Sequence, residues 1–318
     1  FVTQFDMHDV EAVGLLKMDF LGLRNLTLLD DVTRLVEKRT GVEVDLGRIP
    51  LDDGATYELI QSGQTTGVFQ IESPGMKALI RRLEPTEFRD LIAILGLFRP
   101  GPLDSGMADD YIERKHGRQP VTYPHPAAEE VLSETYGLPI YQDQILLLAQ
   151  RLAGFTLGEA DLLRRAMGKK KPEEMAEMES RFVDGCVRNG IPIAEAKKIF
   201  SDIEKFARYG FVKAHATAYA FITYWTAYFK AHYPTEFMAA LLTSVQDNLD
   251  KVAAYIEECR GMGIEVLPPD VNESAVGFTP VGEGVIRFGL GAIKHVGTGA
   301  VEAILASRGA GFRNFFDF

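Results

Sequence analysis

Apolar side chains at Leu28, Leu29, Val32, Leu35 and Val36 recur three and four positions apart, which predicts an amphipathic helix over residues 26–38 stopped by Gly41. Residues 51–61 predict a short helix entered at the Asp52-Asp53 turn. Residues 193–209 predict a longer one with Ala196, Ile199, Ile203 and Phe206 on one stripe and Gly210 as its cap. Between them lie an apolar run over 90–97, a helix lined by Ile145, Leu146, Ala149 and Leu152, another over 158–167, and an acidic one over 173–179. Further helices are expected over 236–245 and 251–260. Tyr219, Phe221, Tyr224, Trp225, Tyr228 and Phe229 fall all round one helix, so it is expected to be core rather than a base-stacking platform.

Strand-like stretches are few and short. In residues 14–24, Leu15, Leu16, Met18, Phe20, Leu21 and Leu23 flank Lys17 and Asp19, which would leave the same face of a buried extended strand. Residues 65–73 and 285–288 predict two more. Residues 111–118 are charged and expected to be exposed, residues 120–126 form a proline-rich loop, and Pro268-Pro269 marks an expected domain boundary. The fold class is therefore mainly α with small β elements.

Composition changes this picture in three ways. A chain of 318 residues, 46% hydrophobic and 25% charged, can bury a core and has room for two or three domains. The net charge of −11 argues against a surface coated in nucleic-acid-binding charge, so contact with a polyanion must come from local basic clusters. Cys186 and Cys259 have neither pair spacing nor a metal motif, which suits a reducing cytosol and a cytoplasmic protein. The longest uncharged run, residues 214–229, is shorter than the about 20 residues a bilayer needs, so no membrane contact is expected. The pattern already runs at Phe1 and still runs at Phe318, so the chain is expected to be an internal piece of a longer protein.

Candidate chemistry gathers at a few positions. A lone carboxylate among apolar neighbours is costly unless satisfied, so Asp19 is either a metal ligand or half of an ion pair with Lys17. Lys77, Arg81 and Arg82 share one helix face, ordinarily a solvated one. The rigid turn Phe98-Arg-Pro-Gly-Pro102 fixes Arg99. Arg164 and Arg165 run into Gly168-Lys-Lys-Lys-Pro172, five positive charges within eight residues, suited to triphosphate or nucleic-acid oxygens; the alternative is a solvated basic turn. Lys213 and His215 precede the aromatic helix at a turn. Residues 289–305 read helix, Gly-x-Gly hairpin, helix, in which Lys294, Gly297, Thr298 and Gly299 would face a DNA phosphate; an ordinary glycine turn is the alternative.

The order of these motifs resembles the alpha subunits of bacterial DNA polymerase III, the C-family replicative polymerases. The resemblance covers essentially the whole chain. It rests on Leu16-Lys-Met-Asp-Phe-Leu-Gly-Leu-Arg24, Gly67-Val-Phe-Gln-Ile-Glu-Ser73, Phe98-Arg-Pro-Gly-Pro-Leu103, Tyr136-Gly137 with Tyr141-Gln142, Leu163-Arg-Arg-Ala-Met-Gly-Lys-Lys-Lys-Pro172, Tyr209-Gly-Phe211 with Lys213 and His215, His232-Tyr-Pro234, Leu267-Pro-Pro-Asp270 and the hairpin near Gly297. It implies the end of a β-containing catalytic palm over 1–50, a multi-helix fingers domain over 51–268, and the start of a helix-hairpin-helix DNA-binding region over 269–318.

The resemblance also implies a reaction. Two Mg2+ ions held by three aspartates would join a primer 3′-hydroxyl to the α-phosphate of a deoxynucleoside triphosphate. Asp19 matches the third aspartate and Lys17 a lysine near the triphosphate. Arg164, Arg165, Lys169 and Lys170 match residues that hold the triphosphate tail, with Arg99, Lys213 and His215 in or beside the same pocket. The implied partners are primer-template DNA, deoxynucleoside triphosphates, and, through regions outside this chain, the sliding clamp and other replisome subunits. The family's other two aspartates belong to an Asp-x-Asp motif before Phe1, so this chain by itself is expected to be inactive. Val212 and Ala214 stand where the replicative subgroup usually has Asn and Ser, which leaves open an error-prone paralogue, although Lys213 and Tyr219 are retained. A non-enzymatic helical DNA-binding module and a nucleotidyltransferase with a different acceptor are the other readings.

Overall fold

The structure, a computed structural model, describes residues 2–169, 172–207 and 210–318. Helix α1 (Met7–Ala12) buries none of its residues. The strand expected next does not form: residues 15–23 are irregular, and Leu16, Phe20 and Leu21 are exposed. Alternating apolar residues make a strand only where a ladder partner covers them, and none of the described strands pairs with this stretch.

Helix α2 (Arg24–Thr40) follows its predicted spacing. Leu28, Leu29, Val32 and Val36 are buried, and Gly41 ends it at φ 73°, a left-handed conformation that a Cβ would penalise. In α3 (Gly54–Ser62) the Asp53 carboxylate caps the first turn, accepting from the Thr56 amide at 2.8 Å and its hydroxyl at 2.6 Å. His232 Nε2 lies 2.9 Å from the same carboxylate. Burial opposes ionisation of Asp53, but the hydrogen bonds from Thr56 and His232 outweigh it and hold the carboxyl below the usual range. Its stabilising contribution is present above the usual carboxylate value and is lost as pH falls through the lowered one. Replacing Asp53 with Ala is expected to cost about 1 kcal/mol in urea unfolding at neutral pH; an unchanged midpoint would remove the cap from the account.

Residues 65–73, expected as a strand, form a closed turn instead. Gly67 and Gln70 have φ of 78° and 63°, and the Thr65 hydroxyl donates to the Ile71 carbonyl at 2.6 Å. The turn precedes α4 (Pro74–Leu83), α5 (Phe88–Leu97), the short α6 (Pro100–Asp104) that the Phe98–Pro102 motif initiates, and α7 (Met107–Lys115). Exposure of residues 111–118 was the expectation from their charge, and it fails at the helix: Tyr111 and Ile112 are buried, and Lys115 reaches the fully buried Asp90 at 2.9 Å. The partner's carboxylate explains why a lysine is tolerated there.

A second apolar core is built from α8 (Glu129–Leu132), α9 (Gln142–Ala153), α10 (Leu157–Lys169), α11 (Pro172–Arg188) and α12 (Ile193–Ala207). It contains Leu148, Leu152, Phe155, Leu163, Phe182, Cys186 and Phe200. A Cβ at Gly185 would run into the Ala153 carbonyl, so α11 and the end of α9 approach closely there. Burial pushes the Cys186 thiol up to about 11, which keeps it an inert core group.

The chain then returns, through α13 (Lys213–His232), α14 (Pro234–Ser244) and α15 (Leu249–Gly261), to the first core, which α2, α3, α4, α5 and α7 begin. The aromatic helix α13 is a core element as expected: Tyr224 and Phe229 are fully buried, and Tyr219, Trp225 and Tyr228 pack partly against that core. Strands β1 (Glu265–Leu267), β2 (Thr279–Gly282) and β3 (Val285–Arg287) form a sheet in the order β1-β3-β2, with β1 parallel and β2 antiparallel to β3. The sheet therefore joins residues on both sides of Pro268-Pro269.

Helix α16 (Thr298–Ser307) follows. The helix expected before it is only a 3-10 turn, Leu290–Ala292. The Leu290 and Gly291 amides donate to the Ala275 and Val276 carbonyls, each at 2.9 Å, which takes them away from helical bonding. No helix among the described residues is long and apolar enough to cross a membrane.

Candidate nucleotide and nucleic-acid interface

The sequence-predicted residues fall into four groups. In the first, Lys17 and Asp19 pair at 3.4 Å in the irregular 15–23 stretch, and the Asp19 side chain is 70% exposed. The buried carboxylate that the sequence suggests is thus a solvated one, with Lys17 as its counter-ion. Among the described residues no group of three or more His, Cys, Asp or Glu side chains is placed to hold a metal ion.

The second group is on α10, in the second core. Asp161 Oδ1 accepts from Arg164 Nε at 3.0 Å and from Nη2 at 2.8 Å, while Asp161 Oδ2 lies 2.8 Å from Arg165 Nε. Hydrogen bonds from Arg164, with the charge of Arg165 added, hold the Asp161 carboxyl below the usual range, so it is ionised at neutral pH. The two guanidiniums project from consecutive positions, Arg164 at 36% and Arg165 at 63% exposed. Lys169 closes α10, but its side chain, and Lys170 altogether, lie outside the described residues.

The third group sits where the chain crosses between the two cores. Tyr141 and Phe211 form an isolated parallel bridge, with the Gln142 amide donating to the Phe211 carbonyl at 2.9 Å and the Phe211 amide to the Ile140 carbonyl at 3.1 Å. The Arg99 guanidinium lies 4.9 Å from the centre of the Phe211 ring, and His215 packs between Phe211 and Tyr219 at ring separations of 5.5 and 4.1 Å. Lys213 and His215 are inside the first turn of α13 rather than in a turn before it. Lys213 Nζ bonds both oxygens of Glu134 at 2.8 and 2.7 Å. Val212, at the N-cap, offers no capping oxygen, and Asp143 supplies one from α9: its carboxylate accepts from the Lys213 amide at 3.0 Å. Beside this crossing, a cleft of about 620 Å³ opens between α7 and α12, lined by Arg114, Gly137, Lys198 and Ile203 among others.

In the fourth group, Lys294, Gly297, Thr298 and Gly299 are exposed at the start of α16, and Gly297 and Gly299 face open space where a Cβ would point. Backbone amides at such a helix start can meet a phosphate closely.

Sequence reasoning missed Asp161, Glu134 and Asp143. The signal for Asp161 was available, because an acid three and four positions before two arginines on a helix pairs with them. Glu134 and Asp143 come from remote segments, and no local spacing announces them.

A helical domain carrying an arginine pair is followed by a small sheet and an exposed glycine-rich helix start. The family described as the bacterial DNA polymerase III alpha subunit finger domain matches residues 25–190, and a helix-hairpin-helix motif matches residues 263–318. The chain belongs to the bacterial DNA polymerase III alpha subunit family. It is 51% identical to DNA polymerase III subunit alpha of Escherichia coli (strain K12) over 99% of this chain and 28% of that protein. It is 53% identical to the proteins of that name from Pseudomonas aeruginosa, over 100% of the chain and 28% of the relative, and Thermus aquaticus, over 100% and 26%. The chain thus spans about 28% of the length of the curated relatives it matches.

Proposed function

We propose that this chain provides the fingers and the opening of the helix-hairpin-helix region of a cytoplasmic, replicative DNA-directed DNA polymerase. In that reading residues 1–50 end the palm, 51–268 are the fingers and 269–318 begin the DNA-binding region. The observation that carries it is the Arg164–Arg165 pair on α10, half-buried and exposed respectively, inside the span that matches the finger domain. Two adjacent guanidinium forks suit the several oxygens of a triphosphate, and positioned cations stabilise the charge that builds there during phosphoryl transfer. The relatives' name, DNA polymerase III subunit alpha, favours the replicative form over an error-prone paralogue.

The other groups take supporting roles in this proposal. Arg99 and His215, packed on Phe211, and Lys213, held by Glu134, brace the crossing that connects α10's core to α13. Lys294 and the exposed Gly297–Thr298–Gly299 amides would follow the backbone of primer-template DNA. In the same proposal Asp19 contributes one of the several carboxylates that the two Mg2+ ions implied by the family resemblance need; Asp19 by itself does not make such a centre. The sliding clamp and the other replisome subunits belong to the same proposal, through parts of the relatives' length that this chain does not span.

A purely DNA-binding module is the rival reading, favoured by the open helix start at Gly297. Changing Arg164 and Arg165 together to Ala in the complete subunit separates the two. The polymerase reading expects nucleotide KM to rise about 100-fold, on the order of 2–3 kcal/mol for lost charge-assisted bonds, with DNA affinity within about twofold. A fall in DNA affinity and in its salt dependence, with KM unchanged, would support the binding module instead.

A further inference from the structure

We propose that Asp161 is a positioning residue for the arginine pair, its carboxylate holding the Arg164 and Arg165 guanidiniums side by side before a triphosphate arrives. The inference rests on the nucleotide reading of that pair given above. Each carboxylate oxygen serves one arginine: Oδ1 takes Arg164 Nε and Nη2 at 3.0 and 2.8 Å, and Oδ2 takes Arg165 Nε at 2.8 Å. Both guanidiniums are engaged through Nε, the nitrogen nearest the helix. Arg164 adds one terminal nitrogen to that grip, and the two side chains remain 36% and 63% exposed.

Two other roles account less well for this geometry. As a fold stabiliser Asp161 would contribute little, since ion pairs between partly exposed groups three and four positions apart on a helix are weak. As an anion competing with phosphate it would be expected on the terminal nitrogens, yet two of its three contacts are to Nε. Arginine side chains carry large rotamer freedom, and ordering them in advance removes that cost from the binding step. The carboxylate remains charged at neutral pH, because the bonds from Arg164 and the charge of Arg165 hold its pKa down.

The test is primer extension by the complete subunit, with nucleotide KM and kcat measured separately and DNA affinity measured in parallel. Asp161→Ala is expected to raise nucleotide KM about fivefold to tenfold, from the ordering cost of two long side chains, with kcat and DNA affinity within about twofold. Asp161→Asn, which keeps the size and one acceptor oxygen, is expected to lie between Ala and wild type, and Asp161→Glu to restore KM to within about twofold. A KM that stays the same overturns the proposal; a KM that falls makes Asp161 a competitor and overturns it equally. The Arg164→Ala/Arg165→Ala variant in the same assay separates the two levels. If it raises KM while Asp161→Ala does not, the positioning role alone fails, and if it leaves KM unchanged, the nucleotide reading fails and takes this inference with it.

Discussion

Replacing Lys230 with Met is expected to lower folding stability by about 3–5 kcal/mol, the loss found when one partner of a buried, fully bonded charge is removed. The Lys230 side chain is 1% exposed, and its ammonium donates to the Gln64 and Thr66 carbonyls at 2.8 Å each and to Glu258 Oε1 at 2.6 Å. Burial pushes its pKa below the usual lysine value, while the hydrogen bond and charge of Glu258 pull it back up. Met matches the volume, so the loss isolates the polar contribution: two carbonyls and a carboxylate are left without that donor.

The damage should centre on the 65–73 turn. Its backbone is also held by the hydroxyls of α13, with the Phe69 amide donating to Thr226 Oγ1 and Thr223 Oγ1 donating to the Phe69 carbonyl, each at 3.1 Å. Urea unfolding with an unchanged slope and a lowered midpoint is the expected result, together with faster hydrogen exchange at residues 65–71. A loss below about 1 kcal/mol would mean that water replaces the ammonium without penalty.

What the sequence made legible follows from how local each feature is. Helices such as α2 and α12 are written in a period of three and four residues, which needs no knowledge of the rest of the chain, and both form within a few residues of their expected bounds. The strand readings at 14–24 and 65–73 failed because alternation is only half of a strand. The other half is a partner, and in the second case Gly67 and Gln70 curl the backbone on itself instead.

The same limit applies to charge. Lys115 reads as solvated because Asp90, 25 residues earlier, is invisible to a local pattern. Val212 reads as a departure from the family's Asn, and the structure finds the missing cap on Asp143, 70 residues away. The arginine pair was legible as a charge cluster, whereas the side chain that orders it was legible only by its spacing.

The proposal above is that residues of this chain take part in templated nucleotide addition, with Asp19 as one of the carboxylates. The direct measurement is the rate of primer extension by the complete subunit carrying Asp19→Asn, alongside its affinity for primer-template DNA. Asn keeps the size and removes the charge from a side chain that is 70% exposed and makes only a solvated pair with Lys17, so folding should be unaffected. The expected result is a fall in rate of about a thousandfold, roughly 4 kcal/mol of lost transition-state stabilisation, with DNA affinity within about twofold. Extension within about tenfold of the wild-type rate would contradict it.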